Sequence, residues 1–389
     1  MTAIETLHET ALKNYEEKNL DKALEIYNEI IKLNPIDEVA LACVRDIYEE
    51  KDDRFNYYLA RANVNIAQNK LEYAISDTKK AIAIDMDNID AKRKLARLYK
   101  VSKQNLKAID EFSKILASNE KDFDAYFELV DIYMMENSIE SAIPIAKEGV
   151  EQFPDNAGMK NMLAQLYFRA NDYESALSVV SDEMFKAKIL LQKGDNEKAK
   201  EILNKFNPNS LDDIQKRNYY VLMAQYLYNT NDFENSLSNI EEYVKLSGPD
   251  AVSFQMKALI YEEKNDMFNA YLNWGFCKKC QNRFDEAIVE FNHAYQLNKT
   301  NKTVLFELAK LYMEQKERYV AMEFYQKIYD IDGDTEAKNI LAEFYYSEGD
   351  FKKAEEYGKV KEKSTNNTEQ EEEFVGFLDR IINFFSKNK

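Results

Sequence analysis

The chain has 389 residues, of which 45% are hydrophobic and 31% charged, and its formal net charge is -18 at pH 7. This acidic excess disfavours nucleic-acid binding, because neutralising phosphate groups requires clustered Lys and Arg side chains. Only 9 Gly and 5 Pro are present, which is few for the turns of a fold built from many short strands.

The sequence carries no pattern typical of export or membrane insertion. The first residues lack a basic region followed by an apolar core, and no window approaches the roughly 18 consecutive apolar residues that cross a bilayer. Cys43, Cys277 and Cys280 are too few and too unevenly spaced for a disulfide framework. We therefore expect a cytoplasmic protein.

Small residues recur at a spacing of 34 residues along the chain, at Ala74, Ala108, Ala142 and Ala176, then from Ser236 to Ala270 and from Ala287 to Ala321. A second small residue lies 12 positions before nearly every marker, at Ala62, Ala96, Ala164, Ala187, Ala224, Ala258, Gly275, Ala309 and Ala342, with Val130 as the larger exception. Two small residues at this separation let antiparallel helices approach closely where they cross. The period therefore predicts repeated helix pairs.

Short polar breaks are predicted to end one helix and cap the next, at Asn171-Asp172, Gly194-Asp195, Asn231-Asp232 and Gly349-Asp350. Pro35 and Pro154 are predicted to end second helices.

The repeat is irregular in three places. Residues 38–54 predict one extra helix, Val39 to Glu50, which makes a degenerate half-repeat. The marker advances by only 23 residues from Ala176 to Ala199 and by 17 from Ala270 to Ala287. We expect a stack at 1–176, a short-repeat joint and candidate hinge at 177–216, a second stack at 217–363, a polar linker at 364–373 and an amphipathic helix at 374–389.

Leucine and aromatic residues also recur at fixed offsets from these small residues. A leucine precedes the first small residue, as at Leu95 and Leu308, and a tyrosine follows it by three, as at Tyr99 and Tyr312. Tyr27, Phe112, Phe291 and Tyr325 follow the second small residue by four. This pattern resembles the tetratricopeptide repeat over residues 4 to 360. The resemblance implies an all-α, right-handed superhelical solenoid of antiparallel helix pairs with roughly ten to eleven repeats.

The resemblance also implies a concave groove lined by positions 2, 5, 9 and 12 of each first helix. Transferred unit by unit, these positions give Asn63, Arg93, Arg97, Lys100, Phe127, Asn161, Gln165, Phe168, Asn218, Gln225, Tyr228, Gln255, Phe276, Phe306, Asn339 and Tyr346. Amides and aromatics recur, a combination that suits peptide capture. The basic cluster Arg93, Arg97 and Lys100 is a candidate site for an acidic segment or a C-terminal carboxylate. Acidic residues at Asp124 and Glu128 argue against the carboxylate grip of chaperone-binding relatives.

Catalytic and metal-binding patterns were not found. Cys277 and Cys280 form a C-x2-C pair with His293 downstream, but a fourth ligand is missing and Cys277 falls at a core position. His8 and His293, the two histidines, have no recognisable catalytic partner. No Gly-rich phosphate loop occurs. We expect no cofactor, no metal and no enzymatic activity.

The C-terminal tail carries one continuous apolar face at helical spacing, including Phe374, Phe377, Leu378, Ile381, Ile382 and Phe385. Three interpretations stay open, namely a cap folded onto the last repeat, peripheral membrane attachment and docking into a partner.

Two functions follow from these patterns. The leading hypothesis is a non-catalytic scaffold that binds an extended peptide or a partner surface in its groove. The alternative is a membrane-peripheral assembly or secretion factor tethered by the C-terminal helix. The identity of the partner is not readable from the sequence, because groove residues vary with the ligand.

Overall fold

A computed structural model describes residues 3–358. These residues contain 22 α-helices, one short 3-10 turn and no strand, so the predicted all-α helical repeat solenoid is confirmed. The described residues divide into two compact units, one up to residue 189 (unit 1) and one from residue 190 (unit 2). The predicted linker at 364–373 and amphipathic helix at 374–389 lie outside the described residues.

Unit 1 contains helices α1 (Ala3–Glu16), α2 (Leu20–Leu33), α3 (Glu38–Glu50), α4 (Arg54–Ala67), α5 (Leu71–Ile84), α6 (Ile89–Val101), α7 (Asn105–Ser118), α8 (Phe123–Met135), α9 (Ile139–Gln152), α10 (Ala157–Arg169) and α11 (Tyr173–Val179). Helix α12 (Glu183–Lys193) includes the boundary between the units. Unit 2 continues with α13 (Asn196–Leu203), a 3-10 turn (Pro208–Ser210), α14 (Asp213–Asn229), α15 (Phe233–Ser247), α16 (Ala251–Glu263), α17 (Met267–Cys280), α18 (Phe284–Leu297), α19 (Lys302–Glu314), α20 (Arg318–Asp332), α21 (Thr335–Ser347) and α22 (Phe351–Glu356).

The turns inside the helix pairs follow the predicted polar breaks. Asn171 and Asn231 have φ of 60° and 61°, a left-handed conformation that Asn tolerates better than most residues. Asp172 and Asp232 follow directly, and each carboxylate accepts a hydrogen bond from the backbone N–H three residues later. One residue therefore reverses the chain and the next caps the new helix.

The small residues predicted to mark the crossings are buried throughout the described repeats. Ser236 stands where the other units mostly have alanine, and its hydroxyl donates to the carbonyl of Ala224 at 2.8 Å. The substitution is tolerated because this bond satisfies the buried hydroxyl.

Two helices pack as closely on the preceding helix as on the following one, which explains two of the three irregularities. Helix α17 packs against both α16 and α18. Its residues Ala270 and Gly275 are five positions apart, about 140° around the helix axis, and Gly275 lies against Phe291 of α18. The 17-residue marker step therefore arises because α17 is second helix of one pair and first helix of the next. Helix α4 likewise packs closely against both α3 and α5. The extra helix α3, which begins one residue before its predicted start, therefore shares α4 with the α4–α5 pair.

A buried ion pair joins the two helices of the α4–α5 pair. The carboxylate of Asp77, 4% exposed, accepts from Arg61 Nε at 2.8 Å and Nη2 at 2.5 Å and from Asn65 Nδ2 at 3.0 Å. The Arg61 guanidinium also lies 5.0 Å from the centroid of the Tyr58 ring. Hydrogen bonding to Asp77 raises the pKa of Arg61, so the guanidinium stays charged.

We expect Asp77→Asn to lower the free energy of unfolding by about 2–3 kcal/mol, because it leaves a half-buried guanidinium without its counter-charge. Asp110→Asn provides the control, since the side chains of Asp110 and its partner Lys114 are 63% and 58% exposed and such pairs contribute about 0–1 kcal/mol. Urea denaturation of both variants measures the difference. Equal losses in the two variants would contradict the expectation.

We expect Gly275→Ala to destabilise unit 2 by about 1–3 kcal/mol through overpacking. A Cβ at this position would lie 2.5 Å from Cε1 of the buried Phe291 ring. The clash outweighs the gain of up to about 1 kcal/mol from replacing a helical glycine. In a Phe291→Leu background the cost of Gly275→Ala should shrink, and denaturation of the four proteins in this cycle tests the coupling.

Candidate partner-binding groove

The predicted groove positions lie on first helices of the pairs. In unit 1 they belong to α4, α6, α8 and α10, and in unit 2 to α14, α16, α17, α19 and α21. Exposed side chains among them are Arg97, Phe127, Gln165, Asn218, Gln255 and Asn339. Half-buried ones are Asn63, Arg93, Lys100, Asn161, Phe168, Gln225, Tyr228, Phe276, Phe306 and Tyr346.

The basic cluster on α6 is paired with acids of the same chain. Arg93 Nη2 lies 2.8 Å from Asp122, Arg97 Nε lies 2.7 Å from Glu128, and Lys100 Nζ lies 2.7 Å from Glu128. The remaining ion-pair partners are Asp90, Asp124 and Asp131. We call this set the α6–α8 ion-pair ladder. An acidic ligand would compete with these five carboxylates, so the ladder argues against the acidic-segment hypothesis.

Asp122 has two roles in the ladder. Its side chain is 2% exposed, and it accepts from the backbone N–H of Ala125 at 2.9 Å as N-cap of α8. Hydrogen bonding to Asp122 raises the pKa of Arg93. The ion pair therefore fixes α6 to the first turn of α8.

Lys94 differs from its neighbours on α6. Its ammonium donates to Asn63 Oδ1, and among the described residues no carboxylate lies within ion-pair distance of it. Burial lowers the pKa of Lys94 to about 8, because a low-dielectric surrounding disfavours the charged form. The side-chain oxygen of Asn63 is thus already occupied by a hydrogen bond from Lys94.

Asn161 holds the turn between α11 and α12. Its Oδ1 accepts from the backbone N–H of Ser181 at 2.9 Å, from the Ser181 hydroxyl at 3.0 Å and from the N–H of Asp182 at 3.1 Å. Asp182 in turn caps α12 through the N–H of Phe185 at 2.7 Å. The structure therefore gives Asn161 an architectural role inside unit 1.

Several predicted groove aromatics and amides are also engaged by neighbouring side chains. Phe168 packs on Phe185, with ring centroids 5.7 Å apart, and Phe276 stacks on Phe254 at 5.0 Å. Gln225 donates to Asn229 at 2.8 Å. Close ring pairs also involve Tyr228, Phe306 and Tyr346.

The remaining groove positions present polar or aromatic groups to solvent. Phe127 is 43% exposed, and its ring lies 6.2 Å from that of Phe123. Gln165 is exposed one repeat later on α10. Asn218, Gln255 and Asn339 are the exposed amides of unit 2, and none of the four amides has a side-chain hydrogen bond within residues 3–358.

The thiols and histidines lie apart from any metal-binding arrangement. Cys277 is buried, its Sγ lies 3.4 Å from the carbonyl of Ala251, and burial raises the pKa of its thiol, whereas Cys280 is exposed. His8 Nε2 lies 3.1 Å from Asp37. Among residues 3–358 no group of three His, Cys, Asp or Glu side chains could hold a metal ion. In the same range no helix is both long and apolar enough to span a membrane.

The ladder carboxylates Asp122 and Asp131 were not identified from the sequence as partners of the basic cluster. A signal was nonetheless present, because acids follow Arg93, Arg97 and Lys100 by 29, 31 and 31 residues. Since one repeat is 34 residues long, such offsets place an acid on the next first helix, about one turn earlier.

The fold and this arrangement define a helical repeat protein of the tetratricopeptide type. The chain belongs to the family described as the SusR N-terminal TPR domain, whose model matches residues 100–368, more than half of the sequence. Repeat proteins of this type generally mediate protein–protein interactions and are typically non-catalytic. No curated protein matches the chain by sequence.

Two solved structures are among the similar ones. A tetratricopeptide repeat protein from Parabacteroides merdae is 15% identical, with 80% of this chain and 98% of that chain covered and a TM-score of 0.35. PilF of Pseudomonas aeruginosa is 17% identical, with 59% and 92% covered and a TM-score of 0.36. The family assignment rests on the family model.

We expect Lys94→Met to raise the free energy of unfolding at pH 7. Below pH 8 the folded state keeps a charge that burial disfavours, and this penalty disappears as pH rises from about 8 to the ordinary Lys value of about 10.4. The gain is on the order of 1–3 kcal/mol at pH 7 and shrinks toward pH 10. Urea denaturation across this range measures it.

Lys92→Met on the same helix is the control, because it also removes a lysine charge from α6, and it should not reproduce the gain of Lys94→Met. A Lys94→Met variant that is destabilised equally at every pH would show that its bond to Asn63 outweighs the burial penalty.

Proposed function

We propose that this protein is a non-catalytic scaffold that binds an extended segment of a protein partner across the first helices of unit 1. The observation that carries the proposal is the exposure of Phe127 on α8 together with the exposed, unengaged amide of Gln165 on α10, the first helix of the next repeat. A large aromatic left in solvent at a position that the family uses for ligands is a candidate anchor for binding.

The surroundings of Phe127 support a rigid anchor. The ring of Phe123 lies 6.2 Å from it, and Phe123 in turn meets Phe153 edge to face at 5.6 Å. An aromatic held by its neighbours loses little conformational entropy when a ligand covers it. Phe127 can therefore contribute apolar contact area at low cost.

Gln165 supports recognition of a peptide main chain. A carboxamide has one acceptor oxygen and two N–H donors, so it can pair with both the C=O and the N–H of one extended residue. Because Gln165 is exposed and makes no side-chain hydrogen bond within the described residues, binding would not require it to give up an intramolecular bond.

The proposal is tested with a Phe127→Ala, Gln165→Ala double variant. The purified full chain, wild type or variant, captures proteins from source cells, and quantitative mass spectrometry measures the amount of each captured protein. We expect the variant to capture at least about tenfold less of the partner proteins than wild type, because truncating an anchor typically costs more than 1 kcal/mol. The thermal unfolding midpoint should stay close to wild type.

Leu106→Ala is the matched control, because Leu106 is an exposed apolar side chain, 82% exposed, on a second helix. It should retain the wild-type set of partners. Asn161 is left unchanged in the double variant, since its loss would disturb the α11–α12 turn. Identical capture by wild type and the double variant would reject this surface.

A further inference from the structure

We propose that the exposed face of α8 around Phe127 binds a basic segment of the partner, with one cationic side chain lying on the Phe127 ring between Asp124 and Asp131. This inference rests on the proposed function and specifies the chemistry of its partner. It follows from the unequal count of charges in the α6–α8 ion-pair ladder, from the places where the excess charge is exposed, and from the open face of the Phe127 ring.

The α6–α8 ion-pair ladder contains more acids than bases. Its three cations, Arg93, Arg97 and Lys100, face five carboxylates, so the ladder has two more negative than positive charges. The chain as a whole is acidic too, with a formal net charge of -18. A partner segment that brings positive charge therefore meets a complementary surface.

The excess negative charge is exposed at the two ends of one string of ion pairs. Arg97 bridges Asp124 and Glu128. Lys100 bridges the same Glu128 and Asp131. The shared carboxylate in the middle is 15% exposed, whereas those of Asp124 and Asp131 at the ends are 48% and 39% exposed. Each terminal carboxylate has a single cation partner, so it can accept a further hydrogen bond from a cation of the partner protein.

These two terminal carboxylates lie on either side of Phe127 along α8. Asp124 precedes Phe127 by three residues and Asp131 follows it by four, and residues three or four apart share one face of a helix. Phe127, which is 43% exposed, therefore has an acid about one turn away in each direction. A cationic side chain can cover this ring with its methylene groups while its charged end stays close to a carboxylate.

The equivalent ring in unit 2 is covered by a cation of the same helix. Phe306 of α19 has the groove position that Phe127 has on α8, and the Nζ atom of Lys310, four residues later, lies 5.5 Å from the Phe306 ring centroid. The residue four positions after Phe127 is Asp131. Among residues 3–358 no Lys or Arg lies over the Phe127 ring. The face of this ring is therefore open to a cation from a partner.

Arginine suits this place better than an acidic or uncharged residue. An acidic side chain would be repelled by Asp124 and Asp131, and an uncharged one would take water from their carboxylates without replacing it. A guanidinium can stack on a ring and pair with a carboxylate at the same time. Arg61 does both within this chain, since it pairs with Asp77 and lies 5.0 Å from the Tyr58 ring centroid.

The experiment compares three pools of synthetic peptides of about twelve residues, which reach about 40 Å when extended. The pools differ at one fixed central position, which is Arg, citrulline or Glu, and all other positions are varied among uncharged residues. Citrulline keeps the size and shape of the arginine side chain without its charge. Fluorescence anisotropy measures binding of each pool to the wild-type full chain at about 0.05 and 0.5 M NaCl, because salt screens exposed charges.

We expect the Arg pool to bind wild type at least about tenfold more tightly than the citrulline pool at low salt, and this preference should shrink at high salt. Phe127→Ala should weaken binding of the Arg pool about tenfold, because it removes the anchor. Asp131→Asn, which removes one of the two flanking charges, should reduce the preference for Arg over citrulline at least about threefold.

Two further variants separate this surface from the charge of the whole chain. Asp131→Lys gives α8 the aromatic–lysine pair that Phe306 and Lys310 form on α19, so it should abolish the preference for the Arg pool. Asp110→Asn is the matched control, because it removes one carboxylate from the exposed pair with Lys114 on α7, and it should keep the wild-type preference. The thermal unfolding midpoint of each variant checks that the fold is retained.

Binding of the citrulline or the Glu pool to wild type as tightly as the Arg pool would overturn the inference. It would also be overturned if Phe127→Ala left binding of the Arg pool intact, or if Asp131→Asn left the Arg preference intact, since net charge alone would then explain the attraction. If no pool binds wild type, the inference fails. The proposed function is decided separately, by capture with the Phe127→Ala, Gln165→Ala double variant.

Discussion

The close approach of two helices at a pair of small residues is the contact on which the rest of this structure depends. Where Ala96 of α6 meets the α7 position of Ala108, neither side chain separates the backbones. Large residues such as Phe112 can then fill the space beside the crossing instead of holding it open. Within each unit the recurring crossing fixes how the two helices of a pair lie against each other, so the outward positions of the first helices follow a repeating local geometry.

This regularity determined what the sequence could reveal. The small residues at 34-residue spacing predicted the helix pairs, and the polar breaks at Asn171 and Asn231 predicted the turns, because both follow from local backbone chemistry and periodic burial. The burial of Cys277 was predicted because its position in the repeat is a core position. Each of these inferences needs only the spacing of residues along one repeat.

The engagement of individual groove residues could not be derived in the same way. Asn161 looked like a ligand-binding amide, yet its carbonyl oxygen holds the turn at Ser181, since an irregular joint offers unpaired backbone N–H groups. Likewise the sequence alone suggested that the basic cluster on α6 was free to bind a ligand. Its ion-pair partners lie about 30 residues later in the sequence, on the next first helix, α8. A side chain's neighbours in a solenoid come from adjacent repeats, so exposure depends on pairs of positions about 30 residues apart.

The double use of α17 has a consequence for how such an array can change length. Since this helix ends one pair and begins the next, the unit that can be added or removed here without shifting the later small residues is one helix of 17 residues, not a pair of 34. Losing a single helix also reverses the direction in which every later first helix runs. Gain or loss of an odd number of helices would therefore turn the side chains of the following helices toward a different surface. Related arrays can acquire new ligands in this way without any substitution in the groove itself.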